Sequence, residues 1–246
     1  MKLLKKCTCV LLCGGQSLRM RFDLPATNKI LAEVASRPLL HHILDHYDSL
    51  KKFDKVVLCL GNDIEMISES VNKAESYQNQ KWGDTEVVML DTGTTSTATY
   101  RIAQALKHVQ GERFFVAYAD VLSNVDIDRM VNDHEANDRD VTMTLVKARM
   151  PYGRVLLDNE NRVYDFIEKP ILEDWINAGS FIINRRCMEG VDTNLEFESE
   201  LLPRMIREGR KLFGHKHNGF WKGVDTYKDL VTLRTEWEGI KSSNHY

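Results

Sequence analysis

The stretch Leu11-Leu12-Cys13-Gly14-Gly15-Gln16-Ser17-Leu18-Arg19 ends an apolar run, Cys7–Cys13, on two glycines, and Lys29 follows downstream. Glycines let a backbone approach a ligand closely, and the N–H groups they expose can cradle a phosphate. Arg19 and Lys29 add positive charge beside that cradle. A polyphosphate suits such a loop; a plain Gly-Gly turn with two surface cations is its ordinary alternative. Asp120 comes directly after Phe114-Phe115-Val116-Ala117-Tyr118-Ala119, so a carboxylate ends a buried apolar strand. Mg2+ prefers oxygen donors and needs few of them from protein, which makes this a natural ligand position. Capping a turn is the other reading. Asp225, in Phe220-Trp221-Lys222-Gly223-Val224-Asp225-Thr226, is a second carboxylate that reads either as a ligand or as a helix N-cap.

Other chemistries fit worse. The chain has no G-x-x-x-x-G-K-[ST] loop and no G-x-G-x-x-G fingerprint, and no acidic residue ends a second strand about 20 residues on, which argues against a nicotinamide enzyme. His42 and His46 stand at i, i+4, a spacing that can bind metal, but no glutamate supports them. With His41 they read as ordinary helix surface, and His215 and His217 as ordinary strand residues. The five cysteines are an odd number without C-x-x-C spacing, so they read as buried reduced thiols of a cytoplasmic protein.

These residues need a scaffold. In an open α/β sheet, ligands sit beyond the carboxyl ends of the strands. The Gly14 loop, the segment Thr92–Thr99 and Asp120 should therefore meet there. Apolar strands at Cys7–Cys13, Lys55–Leu60, Glu86–Leu90, Phe114–Tyr118 and Val141–Val146 alternate with helices at Pro38–Leu50, Ile64–Ala74, Ser96–Val109 and Asp126–Ala136. That order predicts a parallel sheet covered on both faces. Beyond about residue 150 come short strands at Arg154–Leu157, Val163–Ile167 and Ser180–Ile183 and a helix at Leu201–Glu208. Strands at Lys211–His215 and near Trp221 then lead to a last helix at Tyr227–Gly239. No linker or repeat interrupts the chain, so a single α/β domain with a mixed-sheet second half is expected.

Composition bounds the function. The 246 residues are 43% hydrophobic and 28% charged, ordinary globular usage that excludes a disordered chain. A net charge of −3 argues against electrostatic binding of nucleic acid. No apolar run approaches the ~20 residues of a membrane span. Lys2, Lys5 and Lys6 before Cys7–Cys13 imitate a signal peptide, but no small-residue cleavage site follows, so the run reads as a buried strand.

The motifs also carry a resemblance. LLCGGQSLRM resembles an L-A-G-G-x-G-T-R-L loop, and Asn28-Lys29 with Arg37-Pro38-Leu39-Leu40 resembles P-K…K-P-[IL]-[IL]. Asp91-Thr92-Gly93, Tyr118-Ala119-Asp120, Glu168-Lys169-Pro170 and Ile176-Asn177-Ala178-Gly179 follow in order. Phe197-Glu198 with Leu201-Leu202-Pro203, and Phe220-Trp221…Asp225-Thr226, complete the set. Over roughly residues 10–235 the chain resembles the sugar-phosphate nucleotidyltransferases, and among them the cytidylyl branch.

The resemblance implies a single Rossmann-like (GT-A-like) domain over 1–246, a mostly parallel central sheet with helices on both faces. Residues of about 7–150 would hold the nucleotide and about 151–239 the acceptor. It implies transfer of CMP from CTP to a sugar 1-phosphate of the glucose 1-phosphate kind, with Mg2+ and release of pyrophosphate. Arg19 and Lys29 are the implied catalytic cations; Leu12, Gly14, Gly15, Gln16, Thr92, Thr97 and Asp120 the nucleotide residues. Glu168, Lys169, Asn177 and Trp221 are the implied acceptor residues, and Asp120 and Asp225 the metal ligands. Neither nucleic acid nor membrane is an implied partner, and a homo-oligomer is compatible with the pattern. The chain departs from the family at Ser17, Leu18, Asn28 and Thr97–Tyr100. These departures leave open a polyol phosphate, phosphocholine or phosphoglutamine acceptor, or a non-catalytic nucleotide-binding subunit.

Overall fold

The structure, a computed structural model, describes residues 7–14 and 28–242, with side chains up to Trp237 in the last helix. In chain order the elements are β1 (Cys7–Leu12), β2 (Glu33–Val34), β3 (Arg37–Pro38), α1 (Leu39–Ser49), β4 (Phe53–Leu60), α2 (Ile64–Asn72), β5 (Tyr77–Gln78), β6 (Lys81–Trp82) and β7 (Thr85–Asp91). Then come α3 (Ala98–Ala105), β8 (Arg113–Tyr118), β9 (Val121–Ser123), α4 (Ile127–Ala136), β10 (Val141–Val146), β11 (Arg154–Leu157) and β12 (Val163–Ile167). The chain finishes with β13 (Ile176–Asn184), α5 (Leu202–Arg207), β14 (Leu212–Lys216), β15 (Trp221–Gly223) and α6 (Tyr227–Ser242).

Nine strands form one sheet in the order β14-β10-β13-β8-β1-β4-β7-β6-β5. Its middle, β8-β1-β4-β7, is parallel. Alternate residues of these strands feed two cores, as a sheet buried on both faces requires. Cys9, Leu11, Val56, Leu58 and Phe115 pack with α1, α2, α4 and α6. Val10, Leu12, Val57, Phe114 and Val116 pack with α3 and α5. All five cysteines are free, and four are buried. No described helix is long and apolar enough to cross a membrane.

Three differences from the sequence expectation have physical causes. Val141–Val146 does not join the parallel set directly: β13 enters antiparallel between β8 and β10, and β14 runs parallel to β10 outside it. Two short hairpins, β2–β3 and β5–β6, have no Asn-Gly or Asp-Gly signal. Both central residues of each turn nevertheless take positive φ, Ala35 (48°) with Ser36 (61°) and Asn79 (52°) with Gln80 (63°), the condition for a type I′ turn. The histidines of α1 are not surface residues. His41 and His42 are buried, His41 within reach of Ser70 Oγ (3.0 Å) and His42 of the Val34 carbonyl (2.8 Å).

Burial holds the imidazoles of His41 and His46 down to about 4, and lowers those of His134 and His215. The folded values lie below the unfolded one near 6.5, so the unfolded chain takes up protons first on acidification. Stability from neutral burial is therefore complete above about pH 6.5 and falls as the pH drops toward 4. The expected result is a melting temperature that declines steadily between pH 6.5 and 4.5 in calorimetry, and less steeply in His41→Gln. A flat profile over that window would contradict the buried neutral state.

Candidate active site

β1 leads Leu12 and Cys13 to the carboxyl edge of the sheet, where Cys13 N–H donates to the Cys59 carbonyl (3.0 Å) and Ala119 N–H to the Leu12 carbonyl (3.1 Å). Lys29 is placed by its predecessor. Asn28 caps the short 3-10 turn Lys29–Leu31, accepting from Ile30 N–H (3.2 Å), while its amide donates to Asp63 (3.1 Å). The buried Ile30 anchors the turn.

The ammonium of Lys29 then reaches two carboxylates from distant parts of the chain. It pairs with Asp120 just past β8, and with Asp225 Oδ1 at 3.4 Å. The β9–β15 ribbon makes this meeting possible, pairing Val121 with Gly223 and joining Val224 N–H to the Asp120 carbonyl (2.9 Å). Asp225 is not the helix N-cap. Thr226 takes that role in a reciprocal box with Asp229: Thr226 N–H donates to Asp229 (2.8 Å), and Asp229 N–H donates to Thr226 Oγ1 (3.2 Å). The Asp225 carboxylate is thereby left 62% exposed.

These groups stand at a cleft of about 450 Å³ walled by Leu12–Gly14, Asn28–Ile30, Thr94–Ser96, Arg101, Asp120 and the pair Glu196 and Glu198. Arg101 belongs to none of the sequence motifs. Its guanidinium is buried, donates through Nε to Ser96 Oγ (2.9 Å), and lies over Gly14, where a Cβ would stand 1.2 Å from Nη1. Among the described residues it makes no ion pair, and burial lowers its pKa. The signal was available: a cation next to Ile102 and one turn before Ala105, on the inner face of α3. In the same cleft Tyr118 Oη donates to Glu198. Burial, with that carboxylate beside it, pushes the phenol pKa up.

The donor set suits a hard divalent cation. Two carboxylates converge on one cationic atom, and Lys29 marks the point where positive charge is compensated. Mg2+ is commonly held by one or two carboxylates plus substrate phosphates, so two protein ligands suffice. Among the described residues no group of three metal-ligating side chains exists, so no all-protein cage competes with this place.

The expected residues therefore divide. Leu12, Gly14, Lys29 and Asp120 line one cleft, and Asp225 joins them through Lys29. Gly15, Gln16 and Arg19 lie outside the described residues, as do Ser17 and Leu18. Thr92 and Thr97 are not brought into the cleft wall. Thr92 Oγ1 donates to the Leu60 carbonyl (2.5 Å); Thr97 caps α3 and donates to the Thr193 carbonyl (2.7 Å). Both hydroxyls brace the loop. Glu168 and Lys169 stand exposed and ion-paired with each other (3.4 Å) at the end of the β11–β12 ribbon. Asn177 is exposed at the start of β13 and accepts from Gly179 N–H (2.9 Å), while Trp221 Nε1 donates to the Ala178 carbonyl (2.9 Å).

A cleft of about 450 Å³ at the carboxyl edge of a doubly covered sheet, with two carboxylates and a lysine at its mouth, has room for a nucleotide and is the arrangement of a ligand-binding α/β enzyme. The Nucleotidyl transferase family matches residues 8–238, and the chain belongs to that family. It is 28% identical over 244 residues to a probable glucose-1-phosphate cytidylyltransferase of Bacillus subtilis, covering 93% of this chain and 95% of that one. It is also 28% identical to a mannose-1-phosphate guanylyltransferase catalytic subunit beta of Drosophila pseudoobscura pseudoobscura, over 91% of this chain and 60% of the relative. In three dimensions it resembles HddC from Yersinia pseudotuberculosis complexed with GMP-PN, with a TM-score of 0.72 at 18% identity, covering 94% and 99% of the two chains. The protein is a nucleotidyltransferase of the sugar-phosphate class.

Proposed function

We propose that the enzyme transfers CMP from CTP to a sugar 1-phosphate, releasing pyrophosphate and forming a CDP-sugar. The observation that carries this reading is the convergence of Lys29, Asp120 and Asp225 at the mouth of the Leu12–Gly14 cleft. The attacking phosphate oxygen is already an anion at neutral pH, so no general base is required. The chemical difficulty is to bring two polyanions together in line. Mg2+ held by Asp120 and Asp225 would supply charge neutralisation and a template for the phosphates. Lys29 gives its charge to the α-phosphate as the transition state forms. Arg19, four residues after Gly15 in the sequence, is assigned to the triphosphate and to the leaving pyrophosphate. Residues 7–150 serve the nucleotide, and residues 151–239 serve the acceptor through Glu168, Lys169, Asn177 and Trp221.

Base choice rests on the similarity to the Bacillus subtilis relative and on Arg101. Cytosine presents two adjacent acceptors, O2 and N3; uracil places an N3–H donor at the second. A buried guanidinium in the cleft satisfies cytosine, whereas uracil leaves a donor facing a donor, at ~1–3 kcal/mol. The expected result is a kcat/KM for CTP at least about tenfold above that for UTP, equivalent to ~1.4 kcal/mol. Arg101→Met should narrow the gap. Pyrophosphate release measured with CTP, UTP, dTTP and GTP against one good acceptor tests it. Equal kcat/KM for CTP and UTP would refute the cytidylyl assignment while leaving nucleotidyl transfer intact.

A further inference from the structure

The second half of the sheet carries a cationic cluster that the reaction above does not use. Lys147 follows the last residue of β10, Lys216 ends β14, and Trp175 immediately precedes β13. The two ammonium groups lie 5.5 Å and 5.1 Å from the centre of the same Trp175 ring. Among the described residues neither lysine has an ion-pair partner. Glu173 and Asp174 are exposed just before the tryptophan, and they too are unpaired. Two like charges gathered on one indole repel each other. The ring attracts each of them, and an anion within reach of both would be held by two charges and relieve the repulsion.

The register fixes where this cluster faces. Met143 pairs with Phe181, and Leu145 with Asn177, so Lys147 falls opposite Trp175. Residues directly opposite in an antiparallel pair share a face. Leu145 also pairs with Lys216, and a Cβ on Gly214 would strike Leu145 Cδ1 at 2.2 Å. The lysines and the tryptophan therefore share the face to which Met143 and Phe181 contribute, the face that also takes Tyr118. Tyr118 packs against Gly179, where a Cβ would stand 3.1 Å from its ring, and bonds Glu198 on the cleft wall. β8 stops at Tyr118, while β13 and β10 run on past that level to Trp175 and Lys147. At ~3.3 Å per strand residue the cluster stands on the order of 10 Å beyond Tyr118, about the span of a phosphorylated hexose.

We propose that Lys147, Trp175 and Lys216 form a subsite for a second anionic group of the acceptor, a carboxylate or phosphate at the end remote from the phosphate that receives CMP. This deepens the proposed reaction by giving its acceptor a chemical class, and it rests on that reading for the acceptor's orientation.

The test is calorimetric binding of glucose 1-phosphate, glucose 1,6-bisphosphate and glucuronic acid 1-phosphate to the full chain and to Lys147→Gln/Lys216→Gln. At low salt at least one of the two ligands with an anionic tail should bind tenfold or more tightly than glucose 1-phosphate. Which one does so identifies phosphate or carboxylate as the group read. The double variant should abolish that preference and leave CTP affinity unchanged. Equal binding of all three ligands to the wild type would overturn the subsite, as would a preference that survives in the double variant. If the preference vanishes in the double variant but no nucleoside triphosphate yields pyrophosphate with any of the three, the subsite stands and the transfer reaction falls.

Discussion

Lys29→Ala is expected to lower kcat for pyrophosphate release by about a hundred- to a thousandfold, while the acceptor KM changes far less. A preorganised donor aimed at developing charge is worth ~3–4 kcal/mol of barrier, and its loss appears in kcat rather than in ground-state binding. The residue has the placement this requires. It sits on a short turn fixed by Asn28 and Ile30, and its ammonium already lies among the acidic groups where phosphates would be handled. The turn does not depend on the lysine side chain, so the variant should melt close to the wild type. Lys29→Arg should recover only part of the rate, because a planar fork cannot occupy the same point as a compact ammonium. Steady-state kinetics with both substrates varied would settle the role. A variant that raised only the acceptor KM would move Lys29 out of the reacting centre and into acceptor binding.

The sequence and the structure meet best where one local signal decides the outcome. The β1 run Cys7–Leu12 is, apart from Thr8, apolar on both faces because both faces are buried, and such a strand is legible from composition alone. Asp120 is legible for the same reason, since a carboxylate that ends a buried strand has few explanations. Asp225 needed more. Its alternative as an N-cap is removed by the Thr226–Asp229 box, a T-x-x-D pattern that stands in the sequence beside it. Thr92 and Thr97 are less legible, because hydroxyls near a ligand crevice also make good braces. Whether a hydroxyl faces a loop carbonyl or a substrate depends on the loop's path, which spacing does not give. The same limit hid the insertion of β13 between β8 and β10, a pairing between segments far apart in the chain. Arg101 lies between these cases. An arginine on the inner stripe of a helix is a local anomaly, but its contact with Gly14 is a tertiary fact.

The largest expected effect belongs to Asp120. Asp120→Asn should retain the fold and lose about a thousandfold or more of turnover, ~4 kcal/mol in the barrier. The fold is retained because the structural bond at this position comes from the backbone: the Asp120 carbonyl accepts from Val224 N–H, and an amide side chain leaves that bond intact. Turnover is lost because a neutral amide is a poor ligand for a hard cation and no longer balances the charge of Lys29. Asp225→Asn should cost less. Its carboxylate is 62% exposed against 20% for Asp120, so water can replace more of what it supplies. Binding of Mn2+, followed by electron paramagnetic resonance without any nucleotide, gives a readout separate from activity. Affinity should fall in both variants and further in Asp120→Asn. In the wild type, excess EDTA should stop pyrophosphate release and added Mg2+ should restore it. Turnover indifferent to EDTA would remove the metal from the mechanism and leave Asp120 as a partner of Lys29 alone.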